Sequence, residues 1–132
     1  MAGPIEEVIR LVKRAIRLSP RDPYIDNWYQ WIGIVHLLQS RNDEAVHWLE
    51  KARNANPAHP HARAGLASAF GLQGSADRAP AELAQARSLS SDDRYSSIAR
   101  LRAVGTFGAP KIRALFEATY FAGLRKAGMP EE

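Results

Sequence analysis

The chain has 132 residues, of which 45% are hydrophobic and 24% charged, the proportions of one ordinary globular domain. With no cysteine, disulfides, thiolate metal sites and thiol nucleophiles are excluded, and stability must come from buried apolar surface. No apolar run is long enough for a bilayer and no leader-like N-terminus is present, so a cytoplasmic protein without a membrane partner is expected. The net charge of +4 is spread along the chain rather than gathered in a stripe, so nucleic acid is not an expected partner.

In chain order, the first element is a helix from Ile5 to Leu18, ended by Pro20. After Asp22-Pro23, the residues Ile25, Trp28, Ile32, Val35 and Gln39 keep helical spacing. Asn42, with Asp43 and Glu44 behind it, reads as an N-cap and a negative first turn for a second helix carrying Ala45, Trp48, Leu49 and Ala52, which Asn56-Pro57 stops. The next helix opens at Pro60 and runs to Leu72, where Gly74-Ser75 turns the chain. Its partner returns through Leu83 and Ala86 to Leu89. Pro80 removes a donor near its start, so it should begin late, near Arg78. A further pair is predicted from Asp92 to Val104 and from Pro110 to Ala127. The break between them is Gly105 to Gly108, and Gly128 and Pro130 end the second.

These elements repeat. A shift of about 34 residues places Ile32 on Leu66, Gly33 on Ala67, His36 on Phe70, Ala45 on Ala79, Leu49 on Leu83 and Ala52 on Ala86. The first helix, with Val8, Val12, Ala15 and Pro20, aligns with Ala45, Leu49, Ala52 and Pro57. Small residues at fixed places let two helices of a pair approach, and large ones fill the space beside them.

This pattern of Tyr29, Ile32, Gly33, His36, Ala45, Leu49, Ala52 and Pro57, repeated in weaker form from Arg63 to Ser91, resembles the tetratricopeptide repeat. The resemblance implies an all-α, right-handed superhelix or α-solenoid of about three and a half repeats and seven helices, in a single domain over residues 1–132. Its units are a half repeat at 4–19, repeats at 26–57 and 60–89, and a degenerate repeat at 92–127. Three segments, Ala15 to Pro23, Trp48 to Phe70 and Gly123 to Glu132, are further similar to the C-terminal repeat regions of bacterial class III adenylate and guanylate cyclases. That likeness implies a non-catalytic accessory role in a bacterial signalling protein. The alternative it leaves open is a regulatory part of a cyclase whose catalysis resides outside this chain.

In such a stack the inner groove is lined by the first helix of each pair, which gives Asn27, Gln30, Trp31, Ile34 and Leu38 from one unit, His61, Ser68 and Leu72 from the next, and Arg102 further along. A mixed apolar and amide surface with an aromatic suits a peptide or a partner helix, so a protein partner of unstated identity is expected there. Trp31 and Leu38 have a second reading, as packing residues against a neighbouring pair. The basic clamp with which some tetratricopeptide grooves grip terminal carboxylates is missing.

The first helix has the sequence of a second half-repeat without its partner. Ile5, Val8, Ile9, Val12 and Ile16 therefore offer apolar surface for a cap: a homodimer contact, a preceding domain, or the helix from Pro110 folding across it. Of the four histidines only His59-Pro60-His61 suggests a ligand pair, and no carboxylate stands near it in sequence, so no metal or cofactor is expected. The acidic pairs Glu6-Glu7, Asp43-Glu44 and Asp92-Asp93 sit at or near helix starts, where they complement the dipole. No catalytic residue is assigned, and the chain is not expected to be an enzyme.

Overall fold

In a computed structural model, residues 4–18, 23–104 and 110–132 are described. Within them the chain is all-helical, with no strand. The helices are α1 (Pro4–Leu18), α2 (Ile25–Leu38), α3 (Asn42–Ala55), α4 (Pro60–Leu72), α5 (Arg78–Leu89) and α6 (Ile98–Val104), with a 3-10 turn at Arg94–Ser96 before the last. A long C-terminal helix follows as α7 (Pro110–Phe116), a π-helical turn (Glu117–Phe121) and α8 (Ala122–Lys126). Counted as one rod, that helix brings the described total to seven. The expected breaks at Pro20 and at Gly105 to Gly108 lie outside the described residues.

The turn chemistry follows the sequence closely. Gly74 takes φ +78°, with Ser75 N–H donating to the Phe70 carbonyl at 2.9 Å, which closes the end of α4. Gly128, at φ +107°, ends the C-terminal helix in the same manner, with Met129 N–H donating to Leu124. At the end of α2 the same left-handed position is held by Ser40 at φ 61°, where a glycine would sit without strain. Two predicted starts differ. Arg41, not Asn42, precedes the first turn of α3, and the Asn42 side chain makes no capping bond. The helix predicted from Asp92 begins only at Ile98, because Asp92 and Ser90 form a local turn with Arg94. Ser97 Oγ then accepts from Arg100 N–H, and the Ile98 and Ala99 N–H groups donate to the Pro130 and Glu131 carbonyls. The C-terminal tail thereby satisfies donors that a free helix start leaves open.

α2 packs on α3, α4 on α5, and α3 joins the two pairs. The small residues behave as the repeat pattern predicts. Ala45 and Ala52 are fully buried, and a Cβ on Gly33 would stand 2.5 Å from Leu49 Cγ, so the α2–α3 distance is set by the missing side chain. Leu49, Leu66 and Leu83 fill the space between helices, each contributing about 1.5–3 kcal/mol by burial. Glu82 of α5, also buried, ties three helices by accepting from Arg53 at 2.8 Å and Arg63 at 3.1 Å.

The C-terminal helix lies on α4, with further contact to α2 and α5. A Cβ at Gly71 would meet the Gly123 carbonyl at 2.3 Å, and one at Gly123 would meet the Ser68 carbonyl at the same distance. The two helices therefore touch backbone to backbone. The π turn adds a residue to one coil, and Thr119, Tyr120 and Phe121 are all buried there.

Candidate functional site

The surface formed by α2 and α4 is covered by the C-terminal helix of the chain itself. Ile34 and Leu38 belong to the same buried cluster as Tyr120, Phe121 and Leu124, and Leu72 is packed against it. Ser68 is fully buried and its Oγ donates to the Tyr120 carbonyl at 2.8 Å. Of the residues expected to line an open groove, Ser68 bonds the C-terminal helix, and Ile34, Leu38 and Leu72 join the core that this helix shares. Leu38 thus takes the packing reading, whereas Trp31 does not: it is 58% exposed. Arg102 is at the surface, with its guanidinium held by Glu117 at 2.7 Å and over the Phe121 ring at 5.6 Å.

Asn27 and His61 enter a polar seam that crosses four elements. His59 precedes α4, and its Nδ1 accepts from Ala62 N–H at 3.1 Å, an N-cap made by an imidazole. That fixes the proton on Nε2, which donates to Asn27 Oδ1 at 2.8 Å. Beside it Asp26, buried at the start of α2, accepts from Asn56 Nδ2 at 3.0 Å. His61 Nδ1 is hydrogen-bonded to the Tyr95 hydroxyl. Tyr95 in turn shares a hydrogen bond with the Tyr120 hydroxyl on the C-terminal helix. With Tyr120 donating to Tyr95, Tyr95 donates to His61, and His61 is neutral.

Burial holds both histidines below their ordinary range, against the opposing pull of the Asp26 carboxylate on His59. His61 is pushed down further by His59 and Arg94, with Asp92 opposing. Burial also raises both tyrosine hydroxyls. These bonds link α2, α4, the Arg94–Ser96 turn and the C-terminal helix. Among the described residues no group of three metal-ligating side chains comes together. The sequence reading did not find Tyr95 or Tyr120. The signal for Tyr120 was the apolar run Tyr120, Phe121 and Leu124 beside Gly123, in a helix that reads as the weak end of a repeat array.

The open surface is at α1. Ile9 is buried and Val12 and Ile16 are half-buried, while the side chains of Ile5 and Val8 lie outside the described residues. Ile9 and Val12 face α2, and together with Asn27, Trp28, Trp31, Ile32 and Val35 they line an apolar cleft of about 350 Å³. The C-terminal helix, one of the expected covers for α1, packs on the α4 side instead. Gln30 is half-buried on the same helix as Trp31. At the α3 edge, α1 is fastened by Arg41 to Glu6 at 3.0 Å and by Lys13 over the Trp48 ring at 5.2 Å. Among the described residues, four of the five exposed large hydrophobics, Leu11, Leu18, Tyr24 and Trp31, sit on or just before α1 and α2. No described helix is long and apolar enough to cross a membrane.

Comparison of the chain with protein-family models, curated proteins and solved structures returns no match.

Proposed function

We propose that the chain is a non-catalytic protein-interaction module of the tetratricopeptide type, acting in the assembly of a bacterial cytoplasmic signalling protein. The observation that carries this reading is Trp31, 58% exposed on α2 and lining the 350 Å³ apolar cleft between α1 and α2. An exposed indole beside an apolar recess is the kind of anchor that dominates protein interfaces, because it removes a large area from water at small entropy cost. The C-terminal helix fills the α2–α4 surface where a foreign peptide was first expected, so the partner engages the α1–α2 side. Repeat-like helix pairs supply a rigid frame for such a surface.

Affinity capture from a source-cell lysate tests the reading. The native chain is compared with Trp31→Glu and Ile34→Glu, each checked for helicity. A protein captured by the native chain and lost with folded Trp31→Glu supports it; Ile34→Glu should lose structure, since Ile34 is core. Equal capture by native and Trp31→Glu chains would remove the α1–α2 side from consideration.

A further inference from the structure

The outward face of α1 carries two rows. Arg10, Arg14 and Arg17 recur at helical spacing along one, spanning about 10 Å of axis. Leu11 and Leu18, 59% and 75% exposed, form the other. Several arginines elsewhere are paired with carboxylates: Arg41 with Glu6, Arg53 and Arg63 with Glu82, Arg102 with Glu117. The three on α1 make no ion pair among the described residues; of the two first-turn acids that flank their row, Glu6 is bonded to Arg41, which leaves Glu7 beside them.

From these two rows we infer that the outer face of α1 docks an acidic amphipathic helix of a partner protein. The inference rests on the interaction reading above and names the chemistry of the partner. Carboxylates beside an apolar stripe of matching spacing meet both rows at once. A second copy of this chain fits poorly. A symmetric antiparallel contact of α1 with itself would set Arg14 against Arg14 and Arg10 against Arg17, and like charges at an interface are costly. An anionic bilayer also fits less well, because membrane affinity scales with apolar area inserted, and the larger apolar side of α1 is committed to α2.

The test uses the whole chain and a labelled synthetic helix with leucines at i, i+3 and i+7 flanked by glutamates, with a lysine-for-glutamate version as control. Fluorescence anisotropy at low salt should show binding of the acidic peptide only. Arg10→Gln/Arg14→Gln/Arg17→Gln should weaken it about tenfold, and the three charge reversals to Glu should switch preference to the lysine peptide. Absence of binding, or equal binding by the native and reversed chains, would overturn the inference. So would adsorption to phosphatidylglycerol vesicles that the acidic peptide does not displace. In the lysate experiment, a partner lost with Trp31→Glu yet retained by the reversed chain would remove the acidic helix and leave the interaction reading standing.

Discussion

Gly71 of α4 and Gly123 of α8 meet backbone to backbone, close enough that a Cβ on Gly71 would stand 2.3 Å from the Gly123 carbonyl oxygen. Backbone cannot swing aside as a side chain can. Gly123→Ala therefore has to push the two helices apart, although alanine is the better helix former by about 1 kcal/mol. The expected net loss is about 1–3 kcal/mol, read as a lower urea midpoint at unchanged slope. A neutral or stabilising Gly123→Ala would show that the C-terminal helix does not sit as described.

Ser40 offers the opposite case. Its left-handed backbone, φ 61°, closes α2 with Arg41 N–H donating to the His36 carbonyl at 2.9 Å. Its side chain is exposed, so nothing is lost by removing it. Ser40→Gly should stabilise by up to about 1 kcal/mol, seen as a rise of a few degrees in Tm. A fall in Tm would mean that the turn is not held in this conformation.

Three histidines set the acid limit. Burial lowers His36, His59 and His61 below their ordinary value, so the unfolded chain takes up protons first as pH drops. Stability is whole above pH of about 6.5 and declines as pH falls from there through the lowered folded values, by at most about 1.4 kcal/mol per pH unit for each histidine. His59→Asn keeps a capping side chain and should make the decline shallower. Chemical denaturation between pH 7.5 and 5 measures the slope. A flat profile would contradict neutral, buried imidazoles.

Glu82 joins α3, α4 and α5 through Arg53 and Arg63 while itself buried. Glu82→Ala removes the acceptor that two guanidinium groups share, leaving Arg53 with Glu50 and Arg63 with the Pro57 carbonyl, and should cost about 1.5–3 kcal/mol. Removing the exposed pair with Glu6→Ala should cost less than about 1 kcal/mol. Comparable losses in the two variants would show that burial does not separate them.

Much of this fold is legible in the sequence, and the reason is local. Pro60 starting α4, Pro80 delaying α5 to Arg78, and Gly74 and Gly128 ending helices are properties of single residues in the chain direction. The small positions Gly33, Ala45 and Ala52 were legible because their spacing repeats. The course of the C-terminal helix was not. Gly71 and Gly123 carry no mark that pairs them, and Ser68 reads equally well as a groove residue or as a donor to Tyr120. The seam from Asn27 through His59 had the same limit, since its members lie 32 residues apart and meet only once the helices pack. Leu38 and Trp31 could each line a groove or fill a core, and the tertiary arrangement divides them.

The C-terminal helix covers the surface that α2 and α4 share. Native-state hydrogen exchange at residue resolution tests it most directly. Amides of residues 119–127 should be protected to the same degree as those of α4 near Ser68 and Gly71, and should lose that protection together in Gly123→Ala. Protection of α4 with rapid exchange across residues 119–127 would contradict the account and return the α2–α4 surface to an external partner.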